Sequence, residues 1–236
     1  MIAAVLPSYE EWRAIRLSLL VALVAVAVSL PFGILLGRVM ARRQFRGKAL
    51  VETLLNLPLV MPPVVTGYLL LVAFGTRGWI GQHLYEWLGI RFVFDWKGAA
   101  LASAVVSFPL MVRSIRVAFT SVDRRLEGAA RTLGAGPLDA FLSVSLPLAR
   151  HGIIAGCVLA FARSMGEFGA TIMIAGSIPG ATRTIPLYIY NLLQSTDRKD
   201  ADAAVRIIVF SILIAAAALV ASEYFERRER RAMREG

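Results

Sequence analysis

The chain has 236 residues, of which 57% are apolar and only 18% charged, with a formal net charge of +10 and a mean hydropathy of +0.65. A disordered chain would be far less hydrophobic, and a soluble domain would carry about 25% charged residues. The single cysteine, Cys157, excludes a disulfide scaffold, and two distant histidines, His83 and His151, leave no all-protein zinc site. The chain reads as an all-α integral membrane protein.

The first apolar run, 14–37, has no charge between Arg16 and Arg38 and is long enough to span a bilayer core of ~30 Å as helix. Glu10 and Glu11 precede it where a cleavable leader would be basic, so it is expected to be a permanent span. The second, 50–75, contains Pro58, Pro62 and Pro63, and a kinked helix is expected. The kink serves packing or lines a path. Further spans are expected near 98–119, 148–175 and 203–222, the fourth interrupted by Arg163 and Glu167.

Five spans segregate the basic residues. Sixteen of the 26 then fall on one side: Arg38 to Lys48, Arg113 to Arg150, and the tail Arg227 to Arg234. By the positive-inside rule that side is cytoplasmic, which puts the N-terminus outside and the C-terminus in the cytoplasm. Because the charges cluster beside uncharged stretches, the basic balance points to a lipid bilayer as partner and to no nucleic acid.

The connection 120–147 is long for a membrane protein. Leu126, Ala129, Ala130 and Leu133 form one stripe at helical spacing, Gly134 is a stop that calls for positive φ, and Pro137 can open a second helix. A helix–turn–helix on the membrane surface is expected, with a face of small residues. Such a face fits a partner's groove, and an amphipathic helix lying on headgroups fits equally.

This loop resembles the signature of binding-protein-dependent ABC importer permeases: Glu-Ala-Ala, three residues, Gly, nine residues, Ile, one residue, Leu-Pro. The chain offers Ala129-Ala130, Gly134, Val144 and Leu146-Pro147 at those spacings. Gly128 stands at the signature's acidic position, with Glu127 one place earlier, and Val144 replaces its Ile. The stretches 56–68 (NLPLVMPPVVTGY), 161–171 (FARSMGEFGAT) and 178–186 (IPGATRTIP) are similar to those of molybdate permeases, and sulfate permeases share the Gly-Glu-Phe-Gly element. The resemblance implies that residues 1–236 form one permease domain with the ABC importer permease fold. It also implies that loop 120–147 is a coupling element, with Glu127, Ala129, Ala130, Gly134, Val144, Leu146 and Pro147 meeting an ABC ATPase subunit. The other implied partners are an extracytoplasmic oxyanion-binding protein and a second copy of the chain. The implied activity is ATP-driven import of an oxyanion, molybdate or tungstate first, with a sulfate-type permease as the alternative.

No Gly-x-x-x-x-Gly-Lys-[Ser/Thr] occurs, since Gly47-Lys48 is followed by Ala49. Without the lysine and hydroxyl that hold phosphates and magnesium, ATP hydrolysis is expected on a separate chain. No catalytic constellation, cofactor motif or metal set appears, so the chain itself is not read as an enzyme. A stand-alone secondary transporter remains a weaker alternative: Glu167 is the one mid-span carboxylate, and no internal repeat is visible. Arg163 and Glu167 lie four apart and share a helix face. They form either a structural ion pair or a charged part of the oxyanion path.

Overall fold

The computed structural model describes residues 7–195, 203–214, 216–217 and 220. Among them there is no strand. Helix α1 (Tyr9–Arg42) opens with a capping box: Ser8 Oγ accepts the Glu11 N–H, and the Glu11 carboxylate accepts the Ser8 N–H at 2.8 Å. Its 34 residues rise about 51 Å, so it outreaches a hydrocarbon core of ~30 Å. Most of the buried stripe of α1 is small: Ala14, Ser18, Ala22, Ala25, Ser29, Gly33 and Gly37 stand among the larger Glu11, Ile15, Val21 and Met40. In lipid, helices are held by close packing rather than by escape from water, and small residues permit it. A Cβ on Gly37 would lie 2.7 Å from Ile115 Cγ2, and one on Gly33 2.9 Å from Met111 Sδ.

Both neighbours belong to α5 (Trp96–Ser121), which Asp95 caps and against which α1, α8 (Leu146–Met165) and α9 (Gly169–Ala175) pack. Gly152 and Gly156 repeat the device on α8 (Leu146–Met165), where a Cβ on Gly156 would lie 3.1 Å from the Met111 carbonyl. Met111, Ile115 and Phe119 of α5 are fully buried at this crossing.

Among the described residues three helices are long and apolar enough to cross a membrane: α1, α5, and the continuous rod Pro137–Met165. That rod comprises α7 (Pro137–Ala140), a π turn (Phe141–Ser145) and α8. Two of the expected spans are interrupted. The run 50–75 is two helices, α2 (Lys48–Val60) and α3 (Pro63–Phe74), bent by 111°. Pro62 forces Met61 into extended backbone (φ −69°, ψ 144°), and Pro63 is pre-set for the first position of the next helix. The run 148–175 likewise stops at Met165 and restarts as α9 (Gly169–Ala175) after Gly166 leaves helical geometry. The two outer segments lean on each other through glycine: a Cβ on Gly67 of α3 would lie 2.6 Å from the Ala170 carbonyl, and one on Gly169 2.8 Å from Pro63 Cβ.

The expected helix–turn–helix over 120–147 is also modified. Its first helix stands as α6 (Arg124–Thr132), but its second is the start of the long rod and not a separate element. Two helices outside the expected spans cap the other end of the bundle: α4 (Trp79–Leu88) and α10 (Ile185–Leu193). Helix α11 (Ala203–Ile214) begins the run expected at 203–222, whose remainder lies mostly outside the described residues.

Candidate functional site

Helix α6 buries none of its residues. Asp123 accepts the Arg125 N–H at 2.8 Å, which starts the helix with a carboxylate at its positive end. The helix closes with a Schellman motif: Ala135 N–H bonds the Ala130 carbonyl and Gly134 N–H the Arg131 carbonyl, both at 3.1 Å. Gly134 sits at φ +97° with nothing within 4 Å of a Cβ placed there. Ala129, Gly134 and Pro147 are exposed, while Ala130, Val144 and Leu146 are half-buried. Leu133 is 89% exposed and Leu138 69%. The result is a short helix standing off the bundle, with small and leucine side chains uncovered by its own chain.

Glu127 of α6 points toward the bundle. Glu127 Oε1 takes a 2.7 Å ion pair from Arg38 of α1, and its Oε2 accepts the Ser145 hydroxyl at 3.1 Å from the π turn. The Arg38 guanidinium also lies 4.0 Å over the Phe141 ring. Two more bonds cross the same seam: Arg42 donates to the Val122 carbonyl at 3.0 Å, and Arg124 to the Arg42 carbonyl at 3.1 Å. Glu127 therefore ties the first half of the signature to the second, because Ser145 lies between Val144 and Leu146. The acid one place off the family position has a partner in its own chain. Spacing on α6 could not reveal it, since Arg38 lies 89 residues away.

Arg163 and Glu167 do meet. Arg163 Nη1 is 2.8 Å from Glu167 Oε2, the carboxylate side chain is 1% exposed and the guanidinium side chain 30%. Glu167 Oε1 also accepts the Ala170 N–H at 2.8 Å, so one carboxylate joins the end of α8 to the first turn of α9. The pair stands about 25 Å from Leu146 along α8, and the structure does not bring it to the α6 end.

A second buried pair went unseen in the sequence. Glu11, fully buried, faces Arg206 of α11, with Arg206 Nη2 2.7 Å from Glu11 Oε1. The available signal was a glutamate at the start of one apolar run and an arginine inside another, 195 residues apart. Nearby, Arg13 donates to the Gly180 carbonyl at 2.9 Å and Ser18 accepts the Ile185 N–H at 2.8 Å, which pins the hairpin before α10 to α1. Burial, reinforced by the Glu11 charge and opposed by a hydrogen bond from Ser8, pushes the Tyr188 phenol of α10 above its ordinary value. Among the described residues no cluster of His, Cys, Asp or Glu could hold a metal.

An all-helical bundle with broken spans and a short helix standing clear of it is the permease fold of ABC importers. A bacterial ABC transporter, crystallised with an alginate pentasaccharide-bound periplasmic protein, contains a chain matching 96% of this one at TM-score 0.73 and 20% identity, over 82% of its own length. The family described as binding-protein-dependent transport system inner membrane component matches residues 29–231, and the chain belongs to that family. It is 54% identical over 220 residues to the molybdenum transport system permease protein ModB of Escherichia coli (strain K12), covering 93% of this chain and 95% of that protein. The ModB protein of Haemophilus influenzae is 47% identical over 96% of this chain and 98% of its own length. The sulfate transport system permease protein CysW of Synechocystis is 36% identical over 91% of this chain and 76% of its own length.

Proposed function

We propose that this chain is the membrane-spanning subunit of an ATP-driven importer of an oxyanion, molybdate first and tungstate with it. The observation that carries the reading is the signature loop folded as a helix with a small, uncovered face and a glycine-closed end. Identity of 54% to a molybdenum permease, against 36% to a sulfate permease, supports molybdate over the sulfate-type alternative. In this reading two copies enclose the path, and an extracytoplasmic binding protein delivers the anion. A separate ATPase chain receives α6 in a groove, touching Ala129, Ala130, Gly134 and the exposed Pro147. Val144 and Leu146 support that face from behind, and Glu127 holds it to the bundle. The chain resides in the inner membrane with its N-terminus outside, as the placement of its basic residues favours. The Arg163–Glu167 pair serves first as the joint between α8 and α9, because both carboxylate oxygens are engaged there.

The test is Gly134→Leu beside Ala130→Trp. At φ +97° a side chain costs about 1 kcal/mol, and there is room for it within the chain, so the permease should still insert and pair. Copurification of the ATPase and uptake of labelled molybdate should both be lost, and a sulfate excess should compete weakly with wild-type uptake. Normal copurification and uptake with Gly134→Leu would make α6 a headgroup-lying helix and refute the coupling role. Strong competition by sulfate would transfer the assignment to the sulfate class.

A further inference from the structure

A charged cavity lies between α1, α2 and α5, on the α6 side of the bundle. It has a volume of about 270 Å3, and its polar lining is Glu52, Asn56, Arg113 and Arg116, over a floor that includes Met40 and Pro109. On the scale where one water takes roughly 10–15 Å3, a tetrahedral anion with part of its hydration shell fits. Arg116 Nη1 is paired to Glu52 Oε1 at 2.8 Å. Asn56 spends one amide hydrogen on the Glu52 carbonyl at 2.7 Å. Arg113, one turn before Arg116, makes no ion pair or hydrogen bond among the described residues. With two arginines and one glutamate, the cavity holds a net charge of +1 from these groups.

Arg113 lies eight residues before the end of α5, about 12 Å along the helix. Arg113 is exposed on the wall of this cavity, so its guanidinium meets water and is open to an anion. An exposed guanidinium without a protein partner among the described residues, beside a second arginine in the same cavity, is free to take a ligand, and here the ligand must be negative. The Arg163–Glu167 pair offers no such excess, since its charges cancel.

We infer that this cavity is an anion-binding vestibule at the inner mouth of the path, where a tetrahedral oxyanion pauses between Arg113 and Arg116 before release. The inference rests on the proposed import function. A phosphate headgroup of an anionic lipid has the same chemistry, and the experiment separates the two sources.

The experiment uses a single reporter, Leu55→Cys, at the cavity wall in a Cys157→Ser background, with the permease–ATPase complex in neutral phosphatidylcholine nanodiscs. Reaction rates are measured with two methanethiosulfonates of similar size, one carrying a sulfonate and one a trimethylammonium. Relative to a free thiol, the ratio should favour the sulfonate. Arg113→Gln should lower it roughly fivefold or more, the effect on two oppositely charged probes of removing a unit charge that lies within ~7 Å of the reporter in water-like surroundings. Arg113→Lys should keep it. Millimolar molybdate should slow labelling with Arg113 present and not with Arg113→Gln. A ratio unmoved by Arg113→Gln would place the guanidinium outside the cavity and overturn the inference. Protection that came from added phosphatidylglycerol and not from molybdate would assign the site to a headgroup and overturn it too. The labelling needs no transport, so a complex that failed to import molybdate would refute the proposed function while the ratio still judged the vestibule.

Discussion

The tie between α6 and the bundle makes a quantitative prediction for Glu127→Ala. The Arg38 and Glu127 side chains are 27% and 21% exposed. An exposed ion pair contributes about 0.2–1 kcal/mol, and breaking a fully buried one costs about 3–5 kcal/mol. A pair this shielded falls between, at about 1–2 kcal/mol, because Arg38 keeps the Phe141 ring beneath it. The Ser145 hydroxyl, buried at 1% exposure, loses its acceptor as well, for about 1 kcal/mol more. A total of about 2–3 kcal/mol corresponds to a shift of roughly 30- to 150-fold in the equilibrium between docked and released α6. Hydrogen exchange over Arg124–Thr132 in the reconstituted permease reads that equilibrium directly. Amide protection there should fall by at least tenfold, while protection in α5 stays unchanged. Glu127→Gln, which retains an acceptor for Ser145, should fall between alanine and wild type. The double change Arg38→Leu/Glu127→Leu should recover part of the loss by removing the stranded charge. Unchanged exchange of α6 in Glu127→Ala would refute the idea that this acid holds the helix to the bundle.

Two further outcomes test other parts of the reading. Arg163→Gln leaves the Glu167 carboxylate buried without its cation and should lower both folded yield and uptake; Arg163→Leu/Glu167→Leu should restore yield. If the double variant also restores near-normal uptake, the pair is a joint and not part of the anion path. For topology, single cysteines at Tyr9 and Gln194 in a Cys157→Ser background should react with an impermeant reagent applied outside, and those at Gln44 and Ser121 should not. The reverse pattern would invert the orientation.

The parts of the fold that were legible in the sequence are those governed by local rules. An uncharged run of helical length gave α1, and apolar length ending in arginines gave α5, because bilayer thickness dictates both. Gly134 was legible because closing a helix in left-handed backbone strongly favours glycine. The breaks were half legible. Three prolines announced a kink in the second run, but its 111° magnitude depends on how α3 packs against α9. The break before α9 carried no proline at all; Gly166 permits it, and Glu167, accepting the Ala170 N–H, stabilises the restart. The ion pairs divided by sequence distance. Arg163 and Glu167, four apart, could be paired on paper, whereas Arg38–Glu127 and Glu11–Arg206 join residues 89 and 195 apart. No periodicity encodes such contacts.

Those two long-range pairs share a consequence. Both anchor on α1, one near each end, so a helix about 50 Å long is clamped by carboxylate–arginine contacts at Glu11 and Arg38. Between the clamps its small-residue stripe is pressed against α5 closely enough that a methyl group at Gly33 or Gly37 would collide. A helix held in this way moves with α5 or not at all, because sliding would break several close contacts at once. The broken spans are built differently. The Met61–Pro62 and Gly166–Phe168 joints each interrupt a helix, and the segments beyond them, α3 and α9, are bound to one another by glycine contacts. Interruptions in two neighbouring helices at a shared level are where a hinge can absorb a backbone rotation without unpacking a core. The chain thus has a rigid strut reaching from α11 to α6 and, beside it, a jointed pair of short helices. Displacement of α6 would reach the far end through α1, and the joints are where the change in shape would fall.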